Sequence, residues 1–270
     1  MRKPLRVIAL AAAAFVLVGA PATAQQQKQQ PQQQPQQQQQ QPQTPAPPKA
    51  YKPVAVKLPQ PVNDPTFDAF RQQLTGIAQK KDRAALARLV AQNFFWIPED
   101  QDVADKRKSA IENLAKAIGL DGNNPPGWDV LTGFAAENTA DPMNDPQRPG
   151  VLCSPGGPVI EEAPFDQLLT ATGTDPSEWG YPAADGVEVR STAQPTAPVS
   201  EKLGLYLVRA YPDDSPGASQ DMLRIVTPSG KLGFIPADML QPLAGDQLCY
   251  VKEAAAWKIA GVIGGGTPSQ

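Results

Sequence analysis

The sequence contains no histidine among its 270 residues and only two cysteines. Without histidine, the chain cannot form a Ser-His-Asp triad, a Cys-His pair, a histidine general base or a histidine-ligated zinc site. Two cysteines are also too few for a structural zinc site made of thiolates alone. The composition therefore excludes most kinds of hydrolase and leaves open chemistry performed by two carboxylates, such as glycoside hydrolysis.

Residues 1–24 have the order of charged, apolar and small residues that is typical of a secretory signal peptide. Three cations precede an apolar run over residues 7–18, and Ala22-Thr23-Ala24 follows, which predicts cleavage after Ala24. The apolar run is too short for a membrane span. We therefore expect a periplasmic or secreted protein with no membrane span after signal removal. Loss of the three cations would change the formal net charge from −3 to −6, which disfavours nucleic acid as a partner.

Residues 25–63 offer little apolar surface to bury. Fifteen of the nineteen residues from Gln25 to Gln43 are glutamine, and polar, proline-rich sequence continues to about Asp64. Such a segment cannot offset an ordering entropy of about 1–2 kcal/mol per residue. We therefore expect a disordered Gln/Pro-rich tether over residues 25–63.

Helical patterns dominate residues 64–180. Asp64 and Pro65 form a typical helix start, and Phe67, Phe70, Leu74 and Ile77 follow at helical spacing. Further segments are predicted as a second helix that begins at Asp82 and carries Leu86, Leu89 and Val90, a buried strand over 94–97, a third helix that ends at Gly119, a fourth helix over 128–134, a loop over 138–164 and short helices over 165–180. The sequence thus predicts a helical or α+β domain over 64–180.

After Gly186 the hydrophobic period changes from helical to alternating. Short runs rich in β-forming residues, bounded by turn residues, recur at 187–191, 205–209, 222–226 and 233–235. Strands this short and this closely spaced favour a small closed barrel, which leaves no sheet edge exposed. The overall class is therefore predicted to be α+β.

Residues 186–243 resemble the bacterial SH3 (SH3b) domain family. The run Val187-Glu188-Val189-Arg190-Ser191 resembles the family's opening V-x-V-R-S strand, and residues 223–226 resemble its W-x-K-V strand. Residues 230–235 resemble the G-x-x-G-W/Y-V hairpin, and residues 237–240 resemble the terminal turn. The resemblance implies an SH3-like barrel that binds cell-wall peptide or an envelope protein.

A β-hairpin is predicted at the C-terminal end, over residues 244–266. Its strands correspond to residues 247–251 and 257–263, and the ending W-K-I-A-G-x-I-G-G resembles the last strand of NTF2-like domains. The first helices and Phe94-Phe95-Trp96 resemble the start of such domains. This resemblance implies that the barrel is inserted in, or appended across, an α+β domain. The alternative is a hairpin that buries its apolar residues against the barrel or the helices.

Four residues are candidates for a disulfide bond or for ligand binding. Cys153 and Cys249 are predicted to form a disulfide bond, because they are the only thiols in a chain addressed to an oxidising compartment. Tyr206 and Tyr211 are candidate ligand-binding residues: strand alternation places Tyr206 opposite its inward neighbours, and Tyr211 precedes a long loop. The alternative is that either tyrosine packs against the helical domain.

No catalytic residue, metal site or cofactor is predicted. The acidic run from Glu99 to Asp105 lacks the glycine and the final glutamate of an EF-hand loop. We expect an exported, non-catalytic protein that binds cell-wall peptide or an envelope protein. One alternative is a structural or assembly protein whose barrel packs on its own N-terminal domain and binds no ligand. The other is a carboxylate-based cell-wall hydrolase, for which Glu112, Glu161 and Glu162 are candidate acids.

Overall fold

Five α-helices and fourteen β-strands are formed by residues 46–122, 125–213 and 219–265, which the computed structural model describes. The class is α+β, as predicted. None of the helices in these ranges is long and apolar enough to span a membrane. The predicted signal peptide over 1–24, and the tether up to residue 45, lie outside the described residues. The helices are α1 (Pro65–Lys80), α2 (Arg83–Ala87), α3 (Ala110–Ile118), α4 (Gly127–Ala136) and α5 (Glu162–Thr172).

The boundaries of α1 and α3 follow from their capping residues. The Asp64 carboxylate accepts the backbone N–H of Thr66 at 2.8 Å and thereby caps α1. Hydrogen bonds from the side chain and backbone of Thr66 and from Lys252 lower the pKa of Asp64 from 3.8 to about 2. Helix α3 ends where Gly119 adopts a φ of 73°, a conformation that glycine reaches without steric cost. Both helix ends agree with the sequence pattern.

A five-stranded sheet joins the C-terminal hairpin to the N-terminal helices. Strand β14 (Ala256–Ile263) pairs antiparallel with β13 (Gln247–Glu253) and parallel with β2 (Val90–Ile97). The order β2-β14-β13-β4-β3 is completed by β4 (Leu152–Ser154) and β3 (Asp141–Pro142). The hairpin therefore belongs to the sheet of the N-terminal half and not to the stretch that resembles SH3b.

Helix α1 packs on the inner face of this sheet. The Phe67 ring lies 5.2 Å from the Tyr250 ring and 5.0 Å from the Trp257 ring, measured between centroids. The Trp257 indole N–H donates to the Thr66 hydroxyl at 3.0 Å. Phe67 and Tyr250 are both fully buried. Contacts between these large aromatic side chains thus attach β13 and β14 to α1.

The predicted disulfide joins two strands of the same sheet. Cys153 on β4 lies directly across from Cys249 on β13, and their sulfur atoms are 2.03 Å apart, at bonding distance. Both residues are buried on the outer face of the sheet, together with Phe95, Val151 and Ala260. The bond links residues that are 96 positions apart in the chain.

The stretch that resembles SH3b lies in a seven-stranded sheet in which all neighbours run antiparallel. A small closed barrel was expected, but in the described residues the sheet is open, with β12 and β8 as its end strands. Strand β6, which precedes the predicted domain, pairs with β12 and separates it from the other strands of the stretch that resembles SH3b. The order is β12 (Leu240–Pro242), β6 (Trp179–Pro182), β9 (Val208–Ala210), β10 (Met222–Val226), β11 (Leu232–Pro236), β7 (Val187–Arg190) and β8 (Val199–Leu203).

Two segments of the N-terminal half differ from the sequence prediction. The helix that begins after Asp82 was expected to include Val90, but α2 ends at Ala87 and Val90 opens β2. The predicted loop over 138–164 contains β3, β4 and β5 (Val159–Ile160). Strands of two or three residues are too short to show an alternation of apolar and polar residues. Their pairing partners are also distant in the sequence.

The tether was expected to extend to residue 63, but the chain is already packed from Tyr51 onward. The Tyr51 hydroxyl donates to the carbonyl oxygens of Leu207 at 3.3 Å and Val226 at 3.0 Å. Strand β1 (Val56–Lys57) pairs with β5, and Val54 and Val56 are buried. These few apolar side chains are sufficient to dock the segment, although its overall composition is polar and rich in proline.

Replacement of Tyr51 by phenylalanine is expected to lower the free energy of unfolding by about 0.5–1.5 kcal/mol, because a buried hydroxyl loses its bonds to two carbonyl groups. Denaturant unfolding monitored by fluorescence measures the effect. Tyr211→Phe is the matched control, since its hydroxyl has no hydrogen-bond partner among the described residues. Equal stability of Tyr51→Phe and wild type would contradict the docking of this segment.

Reduction of the Cys153–Cys249 bond is expected to lower the free energy of unfolding by about 2–5 kcal/mol, because the bond restricts a long loop in the unfolded chain. Thiol labelling of the denatured, unreduced protein should detect no free cysteine. The double variant Cys153→Ser/Cys249→Ser should match the reduced protein in stability. Detection of two reactive thiols in the unreduced protein would refute the bond.

Candidate functional site

A cleft of about 490 Å³ lies beside the loops of the seven-stranded sheet, and we call it the loop cleft. Three chain segments form it: the end of β7 with the turn that follows, the start of β10, and the 3-10 helix Ala237–Met239 after β11. Its lining residues are Arg190, Pro195, Gln220, Asp221, Met222, Pro236, Ala237 and Asp238.

Strand pairing places the walls of the loop cleft. Met222 and Pro236 are direct cross-strand neighbours on β10 and β11. Phe234 on β11 pairs with Arg190, which brings the end of β7 to the same place. The Arg190 guanidinium donates to the carbonyl oxygen of Ala197 at 2.7 Å and to the Glu188 carboxylate at 3.0 Å. The cleft is thus built on paired strands, and its only described cation is already held by the protein.

The charge that the loop cleft offers to a ligand is negative. Asp221 and Asp238 are exposed, and neither carboxylate forms an ion pair within the described ranges. Met222 is buried and also lines the cleft. Aliphatic side chains with two free carboxylates at the rim suit an extended ligand that carries an amine or another cation. Neither aspartate was among the predicted site residues: Asp221 directly precedes the predicted strand over 222–226, and Asp238 lies in the predicted terminal turn over 237–240.

Neither predicted tyrosine lines the loop cleft. The Tyr211 ring lies between two guanidinium groups, 5.2 Å from that of Arg209 and 5.0 Å from that of Arg224. Arg209 is itself buried and paired with Glu178 at 2.6 Å. Tyr206 packs against the apolar core of the sheet, and its backbone forms a bridge with Ala55. The two rings pack against different hydrophobic clusters, so the structure does not bring them together in one groove.

A second cleft, of about 520 Å³, lies between the two large sheets. It is lined by proline and glycine residues of the 155–158 loop, by Tyr181 and by Glu137. Burial, together with the negative charges of Glu137 and Asp141, raises the pKa of Tyr181. The N–H of Gly157 already donates to the Asp141 carboxylate at 2.7 Å. This loop donor is therefore satisfied within the protein and is not available to a ligand.

The acidic run after β2 is used to build a loop. One carboxylate oxygen of Asp102 accepts the backbone N–H groups of Trp96 and Ala104, both at 3.0 Å. Burial alone would raise the pKa of Asp102, but these bonds and the charge of Lys106 lower it. No group of three or more acidic, histidine or cysteine side chains suited to a metal ion occurs in the described residues.

Tyr211→Ala is expected to lower the free energy of unfolding by more than about 1 kcal/mol, since the ring packs against apolar neighbours and two cations. Ligand binding to the loop cleft should stay unchanged. Thermal unfolding and a binding titration, measured on the same samples, separate the two effects. Tyr211→Phe, which retains the ring, is the control. Lost binding at unchanged stability would restore Tyr211 as a ligand-binding residue.

Comparison with known proteins returned no matching family model and no matching curated protein. Among solved structures, the chain is similar to the crystal structure of a putative calcium/calmodulin dependent protein kinase II association domain from Xanthomonas campestris. The sequences are 10% identical, the match covers 82% of this chain and 99% of the other, and the TM-score is 0.24.

Proposed function

We propose that the chain is an exported, non-catalytic protein that binds a cell-wall peptide, or a peptide segment of an envelope protein, in the loop cleft. The observation that carries the proposal is the cleft itself, with paired strands as walls, an apolar floor at Met222 and two free carboxylates at the rim. An extended peptide that bears a free amine matches this arrangement, because its backbone lies on the apolar floor while its cation meets Asp221 and Asp238.

The resemblance to SH3b domains over 186–243 supports the same assignment. Strands β7, β10 and β11, the 3-10 helix and β12 follow one another in the order of the family motifs. We infer an SH3-like arrangement to which β6 has been added as a further strand, so that the ligand face remains at the loops.

Export is supported by the N-terminal sequence and by the disulfide. Residues 1–24 have the signal-peptide pattern, and the Cys153–Cys249 bond is compatible with an oxidising compartment outside the cytoplasm. A periplasmic or secreted location would place the loop cleft in contact with wall peptides.

A structural or assembly role without a ligand is the second candidate. It is favoured by the packing of Tyr206 and Tyr211 and by the docking of residues 51–57 on the seven-stranded sheet. In that role the sheet would serve mainly to support its own chain, and the loop cleft would stay empty.

The double variant Asp221→Lys/Asp238→Lys is expected to bind isolated peptidoglycan or an amine-bearing wall peptide about tenfold more weakly than the wild type, because its rim repels a cation. Binding to the wild type should also weaken as salt is added. Co-sedimentation with peptidoglycan and calorimetry with the soluble peptide measure both effects.

The double variant Asp129→Lys/Asp166→Lys, at exposed positions on α4 and α5, is the control for the same change of net charge. It should bind as the wild type does. If the wild type binds neither peptidoglycan nor peptide, the structural role replaces this proposal. If the double variant and the wild type bind equally well, the ligand does not lie in the loop cleft.

A further inference from the structure

A third cleft, of about 650 Å³, lies beside β2, the end strand of the five-stranded sheet, and we call it the sheet-edge cleft. Strand β2 leaves its regular pairing at this point. Val90 pairs with Ile259 and Phe95 pairs with Gly261, so four residues of β2 stand opposite the single residue Ala260. Bulges of this kind redirect side chains and are frequent beside functional sites.

The bulge supplies polar groups to the cleft mouth. Gln92 and Asn93, both within the bulge, are exposed and line the cleft, and Gln147 lines it from another loop. Across the described residues, none of these three side-chain amides has a hydrogen-bond partner. Each amide offers both a donor and an acceptor. The protein therefore presents unused hydrogen-bonding groups of both kinds around one cavity.

The floor of the sheet-edge cleft is apolar. Phe95, Val151 and Ala260 line it and are buried. A Cβ atom at Gly261 would lie 2.5 Å from the Phe95 ring, so glycine at this position is what allows the ring to lie flat on the sheet. On the other side, the Arg148 guanidinium stacks 4.6 Å from the ring centroid and pairs with Asp102 at 3.2 Å.

The charged groups of the cleft mostly compensate one another. Asp102 pairs with both Arg148 and Lys106, and Asp105 pairs with Arg107. Lys108 and Glu253 add one charge of each sign to the lining. Neither an anion nor a cation is strongly favoured by this balance. The groups left for a ligand are the amides and the apolar floor.

We propose that the sheet-edge cleft binds a saccharide of pyranose rings. Sugar hydroxyls donate and accept hydrogen bonds, as the three free amides do, and the C–H face of a pyranose ring matches a floor made by Val151 and Ala260. The cavity volume lies within the usual range of small-molecule sites, roughly 300–1,000 Å³. This site shares no lining residue with the loop cleft and does not depend on the proposed peptide binding.

The proposal is tested by titrating the full chain with three probes, which are maltotriose, cellotriose and N,N′-diacetylchitobiose, and recording NMR spectra. At least one sugar should shift the side-chain amide signals of Gln92, Asn93 and Gln147. The double variant Asn93→Ala/Gln147→Ala should bind that sugar at least tenfold more weakly. Both positions are exposed, so the fold is retained, and thermal unfolding checks this.

The matched control removes two exposed amides from α1, in the variant Gln72→Ala/Gln73→Ala, and it should bind the sugar as the wild type does. Absence of shifts with all three sugars overturns the proposal, and so does equal binding by the Asn93→Ala/Gln147→Ala variant. Shifts along β2 with an unstructured peptide but with no sugar would also overturn it, in favour of strand addition at the sheet edge. Asp221→Lys/Asp238→Lys should leave sugar binding unchanged, which separates this outcome from that of the peptide proposal.

Discussion

The parallel pairing of β14 with β2 is the contact on which the rest of the structure depends. Strand β14 lies between β2 and β13, so the five-stranded sheet is complete only when the last strand joins one of the earliest. The seven-stranded sheet lies between β4 and β13 in the sequence, and its first and last strands must therefore lie close together. The pairing of β6 with β12, in which Gly180 faces Pro242, meets this requirement.

Local signals were sufficient to predict α1, α3 and three of the seven strands of the second sheet, β7, β10 and β11. Caps at Asp64 and Gly119 and the alternation in residues 222–226 act over a few residues, and the observed boundaries lie where these signals place them. The short strands β1, β3, β4 and β5 were not predicted, because two or three residues become a strand only through a distant partner. The partners of the segment around Tyr51 are also distant in the sequence, so its composition predicted a tether.

For the candidate sites, too, some features could be predicted from local sequence and others depend on distant parts of the chain. Strand alternation predicted that Tyr206 lies opposite its neighbours, but β9 begins only at Val208 and Tyr206 packs against an apolar cluster of the sheet. Alternation also cannot tell which element covers the face on which a residue lies. Residues 51–57 pack near that face, and Arg209 and Arg224 enclose Tyr211. The loop cleft arises from the register of β10 with β11, and the sheet-edge cleft from a bulge in β2. Both are properties of strand pairing, which no single segment of the sequence encodes.

Like the β6–β12 pairing, the disulfide joins the two ends of the stretch that forms the seven-stranded sheet. Cys153 and Cys249 lie on β4 and β13, the strands that flank the inserted sheet, so the bond closes a loop that contains the whole loop cleft. In the folded protein the ends of that loop are already held together by strand pairing. The bond therefore stabilises the fold mainly by restricting the unfolded chain. Because it lies on the outer face with Phe95 and Ala260, it also ties β13 to β4 beneath the sheet-edge cleft. The covalent link thus joins two neighbouring strands of the five-stranded sheet and closes the long loop that contains the seven-stranded one.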